Sequence, residues 1–332
     1  MKITAYGVRP EEQPWLTKIA QKNHFELIQT AAWLTADNVD LARGSIGISA
    51  FQTLPYSAAV FAKMAALKIP VLAIRNVGTD NLDLASADRE GIEVSNVPVY
   101  SPAAIAEFVV LSALQLLRQA PATTRLVAQD QLAEVQNLVG GELNQQTIGV
   151  IGTGHIGLLA AKTFHNFGAR VLAYDAFPRT DQPDWLEYVA DLPTLLAQSQ
   201  IVTLHVPGIK ANDHLLDARA LARLPKGALV INTARGNLID TSALLAALTT
   251  GQIGGAAIDT YEFENQIERA SESHQPITAP YYHDLLAMSN VILTPHIAYH
   301  TDVAVQNMVQ GSLANILNYQ AAKQLLNPVK LG

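Results

Sequence analysis

The sequence predicts an α/β protein built from two doubly wound parallel-sheet domains, and three observations carry that reading. Short unbroken apolar runs alternate with segments of helical spacing along the chain, as successive strand and helix units require. The alternation breaks once, near residue 100, where Asn96-Val97-Pro98-Val99-Tyr100-Ser101-Pro102 sets two prolines against helix formation. A glycine-punctuated strand-to-helix turn, Val150-Ile151-Gly152-Thr153-Gly154-His155-Ile156-Gly157, then opens a second series.

The first series starts with a strand at Lys2–Tyr6 and a helix near Glu11–Gln21, followed by strands at Phe25–Gln29 and Ile46–Ala50. A helix near Ser57–Leu67 and strands at Val71–Ile74 and Ile92–Ser95 complete it. A long helix is expected from Ala103 to about Leu117. The strand Thr147–Ile151 leads into a helix over 155–167 with Ile156, Leu159, Ala160 and Phe164 on one face, then a strand from Arg170 that ends on Asp175. Further strands fall at Ile201–Leu204, Ala228–Ile231, Ala256–Ile258 and Val291–Leu293, with helices near Leu192–Ala197, Leu215–Leu224 and Thr241–Leu248 between them. A last helix, from Thr301 to about Tyr319, is expected to return to the first domain. The expected division is therefore 1–100 with 299–332 as one domain and 101–298 as the other, with a cleft between them.

At 332 residues the chain is long enough for two cores, and with 49% hydrophobic and 15% charged residues it lacks the composition of a disordered protein. A net charge of −7 gives no electrostatic footprint for nucleic acid and no attraction to anionic lipid. No apolar run reaches membrane-spanning length, and the start, Met1 to Gly7, lacks the pattern of a signal peptide. The chain has no cysteine, which excludes disulfides, thiolate chemistry and cysteine zinc sites. The expectation is a cytoplasmic protein with a small-molecule ligand and no nucleic-acid, membrane or metal partner.

The glycine turn points to a dinucleotide. Gly152 permits the tight turn, Gly154 lets the backbone approach a pyrophosphate, and Gly157 lets helix and strand pack closely. The helix that follows offers unpaired N–H groups to phosphate. Asp175, 18 residues beyond Gly157, ends the next strand where a ribose 2′-hydroxyl needs an acceptor, which selects NAD over its phosphorylated form. Arg179, close by, is the feature that opposes this preference.

Ligands of such sheets bind at the carboxyl ends of the strands, so charged residues just past the apolar runs are the candidates for chemistry. Arg235 follows one strand, Asp259 and Glu264 follow the next, and His296 follows the last. These residue types suit reduction of a 2-oxo acid. Arginine is a planar, permanent cation for the substrate carboxylate. Histidine carries a proton near neutral pH for the carbonyl oxygen. Glu264 or Asp259 would hold the imidazolium and favour its charged form. His205 also stands past a strand, and position alone does not separate it from His296.

These motifs resemble the D-isomer-specific 2-hydroxyacid dehydrogenases, specifically the D-lactate and D-2-hydroxyisocaproate branch, over essentially the whole length. The marks are Arg75-Asn76-Val77-Gly78-Thr79-Asp80-Asn81, Tyr100-Ser101-Pro102 with Ala106-Glu107, the glycine turn, Asn232-Thr233-Ala234-Arg235, Asp259 to Glu264, and Thr294-Pro295-His296-Ile297-Ala298-Tyr299. The resemblance implies a Rossmann NAD domain joined to a flavodoxin-like substrate domain, and NADH-dependent reduction of 2-oxo acids to D-2-hydroxy acids. It implies that Arg235 binds the carboxylate, that His296 rather than His205 is the acid/base, and that Glu264 is its partner. It also implies that Asp259 faces the nicotinamide side and that Val77 and Gly78 offer backbone N–H groups to the carboxylate, with Tyr100 at the same site. His155, Ile156, Val206, Pro207 and Thr233 would line the cofactor, and the long helix after Pro102 would join a homodimer. A corepressor-like NAD sensor on the same scaffold is the alternative, and the intact arginine, glutamate and histidine argue against it.

Within the branch, Gln52-Thr53, Pro55-Tyr56 and Ile297-Ala298-Tyr299 look closer to the hydroxyisocaproate members. Phe51 is bulkier than the leucine expected there and nearer the tyrosine of lactate members, and His300 departs from the usual tyrosine. Two readings of Phe51 stand: a ring that shortens the substrate side-chain pocket, or one that only packs against Tyr299.

Overall fold

The computed structural model describes residues 1–330. By contact the chain divides into two units, Met1–Ser101 with the segment from His300 onward, and Pro102–Tyr299. The elements begin with β1 (Lys2–Tyr6), α1 (Gln13–Lys22), β2 (Glu26–Gln29), β3 (Gly47–Ala50), α2 (Ala58–Ala66), β4 (Val71–Ile74), α3 (Leu84–Arg89) and β5 (Glu93–Ser95). They continue with α4 (Pro102–Leu117), α5 (Ala120–Ala128), α6 (Leu132–Val135), β6 (Thr147–Ile151), α7 (His155–Asn166), β7 (Arg170–Tyr174), β8 (Glu187–Tyr188), α8 (Leu192–Gln198) and β9 (Ile201–Leu204). The last are α9 (Ala218–Leu221), β10 (Ala228–Asn232), α10 (Thr241–Thr249), β11 (Ile253–Ile258), α11 (Glu264–Glu272), α12 (Tyr282–Ala287), β12 (Val291–Leu293) and α13 (Asp302–Ala322).

Both sheets are parallel. In the first unit the order is β2-β1-β3-β4-β5, and in the second β12-β11-β10-β9-β6-β7-β8. Chain direction across the sheet therefore reverses between β1 and β3 in one unit and between β6 and β9 in the other, and the turns leaving those strands flank a crevice in each. Helices on both faces explain why the strands read as continuous apolar runs. Along β10, Leu229 and Ile231 join the core beneath α4 and α7, while Val230 between them joins the core on the opposite face. Along β4, Val71 and Ala73 pack with Val309, Leu313 and Ile316 of α13, whereas Leu72 and Ile74 pack with Phe61 and Met64 of α2. α13 thus closes one face of the first sheet. Ser312 fixes its register by donating to the carbonyl of Ala73 at 2.9 Å.

Several local expectations shift. The buried face of α7 is Gly157, Ala160, Ala161 and Phe164, with Ile156 and Leu159 only half-buried, because small residues let α4 approach closely. The helix expected over Leu215–Leu224 shortens to α9, capped by Asp217, since Leu216 bridges to Ile239 instead. α3, α5, α6, α11 and α12 were not anticipated; α5 and α6 bury no residue and so carry no apolar stripe to read. Among the described residues no single helix is long and apolar enough to cross a membrane.

Candidate active site

The glycine turn leaves β6 at the reversal point of the second sheet. Gly152 has φ +90°, and a Cβ there would come within 2.7 Å of the carbonyl oxygen of His205, so only glycine makes this turn against β9. A Cβ at Gly157 would collide with the carbonyl oxygen of Gly152, whereas one at Gly154 would meet open space. The first N–H groups of α7, at His155 and Ile156, follow Gly154 without a side-chain cap. The cradle therefore fits a pyrophosphate. Val206, beyond β9, packs against Gly152 with Pro207 next in the chain, and the buried hydroxyl of Thr233 has no hydrogen-bond partner among the described residues.

Asp175 is bound to the same turn. Its Oδ2 accepts from the backbone N–H and the hydroxyl of Thr153 at 2.6 and 2.9 Å, and its Oδ1 accepts from the N–H of Phe177 at 2.9 Å. Partial burial alone would raise this carboxyl, but those hydrogen bonds outweigh it and hold the pKa below the ordinary aspartate value. Arg179 is paired with Asp181, at 2.7 and 3.0 Å.

Arg235, Asp259 and His296 follow β10, β11 and β12, which are neighbours in the sheet, and Glu264 opens α11. His296 Nδ1 lies 3.3 Å from Glu264 Oε2. Burial disfavours the imidazolium, yet the carboxylate of Glu264 beside it, with the charge of Asp259, raises the histidine above its ordinary value; the positive charge of Arg235 acts the other way. Asp259 has a different task. It is 2% exposed, and its carboxylate accepts from the Thr294 hydroxyl at 2.6 Å and from the backbone N–H groups of Ile297 and Ala298 at 2.8 and 2.9 Å. Its carbonyl accepts from the N–H of His296, whose φ is +54°. Asp259 thus holds the whole turn in which the histidine adopts a left-handed conformation.

His205 shares the strand-end position without that environment. Its Nε2 is 3.0 Å from the hydroxyl of Thr203, and burial pushes its pKa down to about 4, so it is neutral where His296 is readily protonated. Glu262, a third acid past β11, pairs with His214 at 2.8 Å and accepts from the N–H of Thr241. Tyr299 belongs to the same unit as His296, with its ring edge-on at 6.4 Å between centroids.

The first unit holds Phe51, Val77, Gly78 and Tyr100. The carbonyls of Val77 and Gly78 accept from the side-chain amides of Asn96 and Asn76 at 2.7 and 2.8 Å, which fixes the turn after β4. The carbonyl of Tyr100 accepts from Asn307 at 2.6 Å. Sequence reasoning missed what stands behind these turns: Arg75 and Glu12, both fully buried, pair at 2.8 Å. Arg75 also donates to Ser49 Oγ and to the carbonyls of Tyr6 and Gly7.

A glycine cradle with an acid at the reversal point of a doubly wound sheet, and an arginine, a carboxylate and a histidine at the ends of adjacent strands, define an NAD-dependent oxidoreductase. Residues 110–298 match the family of the D-isomer specific 2-hydroxyacid dehydrogenase, NAD binding domain. The D-2-hydroxyacid dehydrogenase (NAD+) of Lacticaseibacillus paracasei is 44% identical over 99% of this chain and 100% of its own. The D-lactate dehydrogenase of Lactiplantibacillus plantarum is 41% identical over 94% of each chain. A solved D-2-hydroxyisocaproate dehydrogenase matches all of both chains with a TM-score of 0.94 at 43% identity. The chain belongs to the D-isomer-specific 2-hydroxyacid dehydrogenases and is an NAD-dependent enzyme of that family.

Proposed function

We propose that the protein reduces 2-oxo acids to D-2-hydroxy acids, with Arg235, Glu264 and His296 as the catalytic set. The observation that carries this reading is the carboxylate of Glu264 at 3.3 Å from the imidazole of His296, on which the charge of Arg235 also acts. NADH, when bound, supplies the hydride. Arg235 binds and orients the substrate carboxylate, and Val77, Gly78 and Tyr100 are the substrate-binding residues of the first unit. His296 gives its proton to the carbonyl oxygen and takes it back in the reverse direction. Glu264 holds the ring and stabilises its charged form. Phe51 limits the length of the substrate side chain, and Tyr299 is a further substrate-binding residue. Gly152, Gly154, His155, Ile156, Gly157, Asp175, Val206, Pro207 and Thr233 receive the cofactor, and Asp259 acts on its nicotinamide side through the turn it holds. The purified protein should oxidise NADH with at least one of pyruvate, 2-oxoisocaproate and phenylpyruvate; no turnover of any by folded protein would end this reading.

The preference for NADH follows from Asp175, whose charge repels a 2′-phosphate, and from Arg179, which Asp181 keeps occupied. Asp175→Ala is expected to reduce the NADH to NADPH ratio of kcat/KM by about 10–100-fold, the value of one hydrogen bond to a charged group. It should also lower the melting temperature, since Thr153 loses its acceptor. An unchanged ratio would remove Asp175 from the cofactor site.

A cytoplasmic homodimer completes the proposal. Leu111 on α4 is 48% exposed, and Leu132 and Val139 beyond it are 63% and 82% exposed, which leaves apolar side chains on and after this helix for a second copy to cover. Sedimentation at micromolar concentration should give twice the chain mass, and a single-chain mass would refute it.

A further inference from the structure

The order of the first sheet reverses between β1 and β3, and the turns leaving those two strands carry Arg9 and Phe51. Gly7 lets the turns meet: its φ is +61°, and a Cβ there would collide with the carbonyl oxygen of Phe51. Across this contact the guanidinium of Arg9 lies over the ring of Phe51, with Cζ 4.3 Å from the ring centroid. The cation is fixed from behind by two acids. Arg9 Nε is 3.2 Å from Glu11 Oε1 and 3.6 Å from Oε2 of the buried Glu12. Glu12 is anchored in turn by Arg75, and Glu11 Oε1 also lies 2.9 Å from Nε2 of His300, the residue that stands where tyrosine was expected.

The backbone around Phe51 is held by other groups. The Gln52 side chain accepts from the N–H of Leu34 and donates to the carbonyl of Leu54. Asn81 Nδ2 donates to the carbonyls of Gln52, Thr53 and Leu54. Gln52 and Asn81 thus hold the main chain of this turn, while the Arg9 cation lies on the ring of Phe51.

We propose that Arg9 is a positioning residue for substrate side-chain selection, clamping Phe51 in the orientation that favours short 2-oxo acids over branched ones. The inference rests on the reading of Phe51 as the wall of the side-chain pocket. Arginine suits the task because its delocalised cation can lie on an aromatic face while its Nε stays within ion-pair distance of the acids behind.

The test is the ratio of kcat/KM for 2-oxoisocaproate to that for pyruvate, at saturating NADH, in four proteins. Phe51→Leu is expected to raise the ratio over wild type about tenfold, the scale of small apolar differences in such pockets. Arg9→Met should raise it about three- to tenfold in the same direction, with the KM for NADH unchanged. Arg9→Lys should restore part of the loss, since the ammonium keeps the charge but not the stacked plane. If Phe51→Leu moves the ratio and Arg9→Met lowers both substrates equally, Arg9 is only structural and the inference is overturned while the pocket reading stands. If neither moves it, the pocket reading fails and the inference with it. Should Arg9→Met not fold, Arg9→Lys and Glu11→Gln read the same ratio, and an unchanged value in both is equally decisive against the clamp.

Discussion

His296→Gln is expected to lower kcat for 2-oxo acid reduction by about 10²–10⁴-fold, the usual contribution of a positioned general acid, while changing the KM for the 2-oxo acid far less. The pH dependence carries the sharper information. On the proposed mechanism reduction needs the imidazolium, which is present below the histidine pKa and lost as pH rises through it. Burial works against that charge, but Glu264 and Asp259 outweigh it and place the pKa above the ordinary histidine value. Reduction by the wild type should therefore persist to a higher pH than an unperturbed histidine would allow, and oxidation of the hydroxy acid should rise over the same interval. Glu264→Gln removes the nearby negative charge that favours the imidazolium, so the descending limb of kcat/KM for reduction should move to lower pH. A limb that stays in place would show that Glu264 does not govern the acid.

The parts of this molecule that were legible in its sequence are those where one residue type satisfies a local constraint alone. Gly152 is readable because no side chain fits at φ +90° against His205. Alternation along β10 and β4 is readable because both faces of each sheet are covered. The acids past β11 were not separable by pattern. Asp259 directly follows the strand, and burial commits its carboxylate to the turn of His296, whereas Glu264 opens the next helix and reaches the imidazole. Strand-end position likewise left His205 beside His296, because the pattern does not record which histidine has a carboxylate neighbour. Glu12 and Arg75 escaped for another reason. Each reads as a surface charge, and only their pairing across 63 residues makes a buried polar core possible.

Arg235→Gln is expected to lower kcat/KM for the 2-oxo acid by about 10²–10⁴-fold, since two charge-assisted hydrogen bonds contribute about 3–6 kcal/mol. On the proposed mechanism KM should rise and kcat should fall, because the same cation would bind the carboxylate and orient the carbonyl toward His296. Arg235→Lys should recover only part of this, as a point charge lacks the planar fork. The loop is built to hold arginine. Its carbonyl accepts from Asn232 Nδ2 at 2.8 Å, its Nη1 donates to the carbonyl of Ala234 at 2.7 Å, and a Cβ at Gly208 would press within 2.7 Å of its Cγ. A collapsed loop is therefore the competing explanation for lost activity, and pH separates the two. The charge of Arg235 lowers the pKa of His296, so its removal should move the descending limb of reduction to higher pH, opposite to the shift from Glu264→Gln. Residual activity in Arg235→Gln with an unshifted limb, or one moved to lower pH, would mean that its cation does not act at the site of His296.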